Sequence, residues 1–173
     1  MFELIKSDFQ RYRRYGIKAS YFRIFLDHQG LWAMVCYRAG RHLLEHPLPP
    51  VLRQIVGALY FVWWKTIQMT TGIYISPTVK IGRGFFVAHF SQIFIGGEVI
   101  IGDDCNVAQG VSIGYAFHKG VWGVPTLGNR VFIAPGAKII GPIKLADGTL
   151  VGANAVLNKD CLLYTSDAAD DNR

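Results

Sequence analysis

From Ile75 onward an aliphatic residue recurs at almost every sixth position. The hexads ISPTVK, IGRGFF, VAHFSQ, IFIGGE, IGDDCN and VAQGVS are followed, after a break, by LGNRVF, IAPGAK, IIGPIK, LADGTL and VGANAV. A period of six is neither helical nor a simple strand alternation, and self-similarity at a fixed period is the signature of a solenoid. Ile75, Ile81, Val87, Ile93, Ile101, Val107, Ile113, Leu127, Ile133, Ile139, Leu145, Val151 and Leu157 occupy one class of inward position. The fifth place of the hexad is also inward and often small or β-branched, as at Val79, Val111, Val131, Ala137, Ile143, Thr149 and Ala155. Short flat strands joined by tight corners, three to a turn, give a triangular coil. Gly82, Gly102, Asp103, Gly128, Asn129, Gly136, Gly148 and Gly152 read as corner residues that tolerate positive φ. The hexapeptide form of the parallel β-helix is left-handed, so the expected fold is mainly β: a left-handed parallel β-helix with a short N-terminal α-helical segment.

The register slips twice. Eight residues separate Ile93 from Ile101, which reads as a two-residue insertion around Gly97 to Val99. Fourteen separate Ile113 from Leu127, so part of GYAFHKGVWGVPT leaves the coil as a loop. Insertions in a solenoid map to one face and build binding sites.

Upstream, residues 2–14 carry Phe2, Ile5, Phe9 and Tyr12 at helical spacing. Further helices are expected from Leu31 to Leu44 and from Val51 to Met69, separated by Pro47, Pro49 and Pro50. The run IVGALYFVWW is ten residues, half of what a membrane span needs. It reads either as a helix packed on the first coil and a neighbouring subunit or as an interfacial membrane helix, with Trp63 and Trp64 beside Arg53 and Lys65. Residues 1–72 thus form a helical segment, residues 73–160 the β-helix domain, and residues 161–173 abandon the hexad and read as a non-native tail, a natural acidic tail being the alternative.

Charge sharpens this division. Residues 1–72 hold ten Lys or Arg against four acids, whereas the remainder balances eight against eight. The coil is not basic and the basic residues form no recognised module, so no nucleic-acid partner is expected. Three cysteines imply no disulfide framework; Cys36 and Cys105 read as small buried hydrophobes in a reducing, cytoplasmic setting. The coil has two histidines, His89 and His118, short of the three that a zinc site of the carbonic-anhydrase kind requires, and no metal is expected.

The stretch GIYISPTVKIGRGFFVAHFSQIFIGGEVIIGDDCNVAQGVSIG, then GVPTLGNRVFIAPGAKIIGPIKLADGTLVGANAVL, resembles the serine acetyltransferase family. It is most similar there to the branch associated with capsule or exopolysaccharide O-acetylation of the colanic-acid type, and WAMVCYRAGRHL resembles that family's helix before the coil. The resemblance spans about residues 20–160. It implies transfer of acetyl from acetyl-CoA, as co-substrate, to a hydroxyl, with His89 as general base and a backbone N–H near Gly114 as oxyanion donor. It also implies CoA contacts near Pro135 and Ala153 in a groove between subunits, and a homotrimer. His118 is a candidate auxiliary group, and Tyr115, Lys119 and Trp122 candidate walls of an acceptor pocket.

Departures from the family's pattern bear on the acceptor. The family has Asp where this chain has Ala88, an acid where it has Tyr74, and an Arg-His pair where it has Gly123 and Val124. The groups that orient the base and hold serine are therefore missing from the coil. The expectation is a sugar or polysaccharide-precursor hydroxyl as acceptor, with L-serine in cysteine biosynthesis as the alternative and a non-catalytic scaffold, or a protein docking on the inner face of the membrane through its helices, as a further one.

Overall fold

The computed structural model describes residues 1–118 and 120–161. Its coil is a prism with three flat faces of parallel strands. The first face stacks β1 (Ile73–Ile75), β4 (Ile93–Ile95), β7 (Ser112–Gly114), β12 (Lys138–Ile140) and β15 (Val156–Leu157). The second stacks β2 (Lys80–Ile81), β5 (Ile100–Ile101), β10 (Thr126–Leu127) and β13 (Lys144–Leu145), and the third stacks β3 (Phe86–Val87), β6 (Asn106–Val107), β11 (Phe132–Ile133) and β14 (Leu150–Val151). Strands of two or three residues are all a hexad allows, because its other residues turn the corner. Cys161, assigned from sequence to the tail, still bridges to Leu145, its N–H donating to the Lys144 carbonyl; residues 162–173 lie outside the described residues.

Register corrects the sequence reading at one point. On the first face Ile75 pairs with Ile95, Ile95 with Ile113, Ile113 with Ile139 and Ile139 with Leu157. Ile95, not Ile93, therefore holds the inward hexad position. Spacing from Ile95 to Ile101 is a regular six, and the two extra residues fall between Val87 and Ile95, at the corner that carries His89. The sequence misplaced them because Ile93, Ile95, Val99 and Ile101 are all aliphatic and all buried, so either register satisfies the pattern.

The inward column is continuous: Val79, Phe85, Val99, Cys105, Val111, Val131 and Ala137 are fully buried beneath the hexad aliphatics. Each such aliphatic contributes about 1.5–3 kcal/mol on burial, so the hydrophobic contribution is spread along the coil. Burial pushes the Cys105 and Cys36 thiols up to about 11, which leaves both protonated and unreactive at neutral pH.

At the edge between the second and third faces the corners bond to one another. The side chain of Asp103 accepts the Arg83 N–H, that of Asn129 accepts the Asp103 N–H, and that of Asp147 accepts the Asn129 N–H, at 2.9, 2.8 and 2.8 Å. Gly82, Gly102 and Gly128 line this edge for a reason other than positive φ: a Cβ at Gly102 would lie 2.6 Å from the Gly128 carbonyl oxygen. Stacked backbones exclude a side chain there.

Four helices precede the coil: α1 (Phe2–Arg14), α2 (Tyr21–Asp27), α3 (Gln29–Glu45) and α4 (Pro50–Thr71). The short α2 was not foreseen from sequence. What fastens the helices to the coil is a buried ion pair. Asp8 on α1 and Arg38 on α3 meet through two hydrogen bonds of 3.0 and 3.1 Å, both side chains 2% exposed. Arg38 also donates to the carbonyls of Ile81 and Gly82, and Asp8 accepts the Phe85 N–H, so each charge is satisfied by the corner it sits on. On α4, Tyr60 and Trp64 face inward, Trp64 donating to the Ile75 carbonyl, while Val51, Ile55, Leu59, Val62 and Met69 stay exposed. No helix among the described residues is long and apolar enough to cross a membrane.

Candidate active site

His89 stands on the irregular corner between the third and first faces. The chain leaves β3 at Val87, passes Ala88, His89 and Phe90, and returns through Ser91 and Gln92, whose φ angles are 87° and 54°. Two successive non-glycine residues in left-handed backbone cost about 1–3 kcal/mol each, and such strain collects where a site needs it. The corner is held despite that cost. Ser91 N–H donates to the Thr71 carbonyl at 2.9 Å, Gly110 N–H to the Ser91 carbonyl at 3.1 Å, and Ala88 N–H to the Val107 carbonyl at 2.9 Å. On the helical side, the fully buried Tyr12 donates its hydroxyl to the Val87 carbonyl at 2.8 Å. His89 itself is exposed.

Beside it lies a cavity of about 270 Å³. One wall is the corner, Val87 to Phe90; the other is the junction of α2 and α3, Asp27, His28, Gln29 and Gly30. Gly30 makes the walls meet: a Cβ there would lie 2.6 Å from the Val87 Cβ and 2.8 Å from its carbonyl oxygen. The His28 ring rests on Tyr12 at 5.0 Å, and Asp27 makes an exposed ion pair to Arg23 at 3.4 Å through Oδ2. Sequence reasoning missed Asp27 and His28. The available signal was Ser20 ahead of the apolar YFRIFL run; its side chain does cap α2 by accepting the Arg23 N–H.

Pro135 and Ala153 stand on the same edge as His89. Gly136 N–H donates to the Gln109 carbonyl and Asn154 N–H to the Pro135 carbonyl, continuing the stack that begins at Ser91 and Gly110. With coils ~4.8 Å apart, Pro135 is two coils and Ala153 three coils from His89, about 10 and 14 Å. Between them Gln109 holds a buried side-chain oxygen with no hydrogen-bond partner among the described residues.

Gly114 is elsewhere. It closes β7 on the edge between the first and second faces, is buried, and gives its carbonyl to Gly141 N–H. The predicted loop grows from that edge as an antiparallel hairpin, β8 (Ala116–His118) with β9 (Val121–Gly123). Tyr115 and Trp122 on it are 54% and 69% exposed, Trp122 packing against Phe117 across the hairpin. Tyr115 and Val124 cover Gly97 at the hairpin's base. His118 takes part through its backbone; its side chain and Lys119 lie outside the described residues. One chain thus joins His89 with Pro135 and Ala153 and sets Gly114, Tyr115 and Trp122 on a different edge. Tyr74, which replaces the family's acid, is stacked on Phe94 at 4.8 Å and tilted on Trp64, so it acts in packing.

A bacterial transferase hexapeptide (six repeats) pattern matches residues 125–159. The chain is 36% identical over 137 residues to the serine acetyltransferase of Helicobacter pylori, covering 79% of this chain and 75% of that protein. It is 30% identical over 161 residues to the serine acetyltransferase of Synechococcus elongatus, covering 92% of this chain and 63% of that one. A solved serine acetyltransferase in complex with CoA superposes with a TM-score of 0.75 at 25% identity, over 94% of this chain and 64% of that chain. This chain therefore spans somewhat less than two thirds of the length of some relatives. The match runs through both the helices and the left-handed coil, and with it the chain belongs to the serine acetyltransferase family.

Proposed function

We propose that this chain is an acetyl-CoA-dependent O-acetyltransferase with His89 as its general base. The observation that carries this reading is the irregular corner: the two residues that break the hexad are spent on presenting His89, exposed, beside a cavity. In the step proposed, His89 takes the proton of the acceptor hydroxyl as that oxygen bonds to the thioester carbonyl carbon. The tetrahedral adduct collapses with cleavage of the C–S bond, and the imidazolium returns its proton to the departing thiolate. Imidazole suits both transfers because its ordinary pKa lies near neutrality. An elongated donor along the edge from Ala153 past Pro135 would bring its thioester toward His89 and would offer amide N–H groups to the unpartnered Gln109 oxygen.

L-Serine is the acceptor that the relatives' names support. A sugar or polysaccharide-precursor hydroxyl is the second reading, favoured by Ala88, Gly123 and Val124 in place of the family's polar groups and by the exposed aromatics of the hairpin. Because Gly114 and the hairpin stand on another edge, a backbone N–H near Gly114, and Tyr115 and Trp122, would reach a His89 site only from a neighbouring copy. That is the geometric support for a homotrimer with sites between subunits. The reading also carries a cytoplasmic location, where acetyl-CoA is available. The test is thiol release from acetyl-CoA with L-serine and a panel of nucleotide sugars and oligosaccharides, alongside His89→Ala. Release that His89→Ala abolishes supports the reading. Absence of both release and CoA binding would leave the coil as a scaffold.

A further inference from the structure

Helix α4 is apolar on two opposite faces, and the rest of the chain covers one of them. Val56, Tyr60, Trp64, Ile67 and Thr71 form a stripe that is buried or half-buried against α3 and the coil. Val51, Ile55, Leu59, Val62 and Met69 form a second stripe on the far side, each more than half exposed. A helix that is apolar all round belongs in a core or against lipid, and a bare apolar patch marks an interaction site. We infer that the outer stripe of α4 lies on the surface of an anionic phospholipid bilayer, with the helix in the plane of the interface.

Charge selects this occupant. No Asp or Glu occurs between Glu45 and Glu98, a stretch that holds Arg53, Lys65, Lys80 and Arg83. Arg53 and Lys65, the two charges on α4, make no ion pair among the described residues. The Lys65 ammonium lies over the Trp64 and Phe61 rings, 5.0 and 5.8 Å from their centroids. A cation on a long apolar stem beside aromatic rings suits the headgroup level of a membrane. The polar side that an interfacial helix ordinarily supplies is here the body of the protein on which α4 rests. A second copy fits the stripe less well, because α4 packed on α4 brings cations together with no acid on either helix to balance them. The cleft of about 370 Å³ between α3 and α4 has the same character. Leu43, Leu44, Leu48 and Val56 line it, and Arg53 is the one charged residue among the described residues that do so. Such a lining takes one acyl chain with its acidic headgroup at Arg53. Because no helix among the described residues can cross a membrane, the contact is in-plane.

The experiment is co-sedimentation of the full chain with vesicles of phosphatidylcholine alone and of phosphatidylcholine mixed with phosphatidylglycerol. The wild type should bind the mixed vesicles more tightly, and added salt should weaken that binding. Ile55→Gln combined with Leu59→Gln should weaken it about 100-fold, and Arg53→Gln combined with Lys65→Gln about 30-fold. Circular dichroism melts of both variants should match the wild type. If a double variant melts early, Leu59→Gln and Lys65→Gln alone carry the test, with losses of about 10-fold and about 5-fold. No binding to mixed vesicles, or equal binding to both kinds, overturns the inference. Binding that survives the apolar substitutions is electrostatic alone and overturns the placement of the stripe. If the wild type ignores vesicles while the apolar substitutions dissociate an oligomer in light scattering, the stripe belongs to a second copy and the inference falls. CoA release plays no part in these readouts, so this inference and the acetyltransferase reading stand or fall separately.

Discussion

Two edges of the same prism follow opposite rules. Where the second face turns into the third, every interval keeps six residues, and Asp103, Asn129 and Asp147 bond each coil to the one before it. Where the third face turns into the first, the interval from Val87 to Ile95 is eight residues, two of them in left-handed backbone, and the exposed His89 stands among them. Side-chain-to-backbone bonds on the first edge add stability. On the second, strain is carried by packing from α1 and α3 and by the coil beneath. A repeat protein can spend stability at one corner because its neighbours are regular, and the departure from the repeat is the corner to which we assign the chemistry.

The sharpest break of this comparison is at His89. His89→Ala should lower CoA release by about 10²- to 10⁴-fold and leave the melting temperature unchanged, since an exposed corner side chain adds little to folding. Deleting Ser91 and Gln92 tests the corner as a whole: it restores a six-residue interval, so the coil should still fold, melting within ~5 °C of the wild type by circular dichroism, while release is lost. A deletion variant that unfolds would show that the extra residues serve the fold.

Next in size is the anchor that presses the helices onto the coil. Asp8→Ala leaves the Arg38 guanidinium buried without its partner and should cost about 3–5 kcal/mol in denaturant unfolding. On the regular edge, Asn129→Ala strips the Asp103 N–H of its acceptor and should cost about 1–2 kcal/mol with no change in CoA release. The smallest effect is a pH dependence. Hydrogen bonds from the Asn129 side chain and backbone, with Arg130 nearby, hold the Asp147 carboxyl below its ordinary value. A carboxyl lowered on folding stabilises the native state above its unfolded pKa of about 3.9, and that share is lost as pH falls through the folded value. Thermal melts at successively lower pH should show a slightly steeper loss for the wild type than for Asp147→Asn.

The sequence by itself determined the coil. An aliphatic residue at every sixth place, with corner residues between, is what short strands wound into a coil require, so the faces, the inward positions away from the His89 corner and the excursion after Ile113 were legible. His89 was legible too, through its surroundings. Register at its corner was not, because Ile93 and Ile95 satisfy the same apolar pattern and only pairing with Ile75 and Ile113 on adjacent coils chooses between them. Nor was the site's second wall legible. Asp27 ends a short helix with weak periodicity and His28 caps it, and nothing local says that a glycine at position 30 meets Val87. Periodic burial is a property of neighbours along the chain and can be read there. A cavity between residues 62 positions apart depends on how the helices dock, which the buried Asp8–Arg38 pair and the Tyr12 hydroxyl settle only in three dimensions.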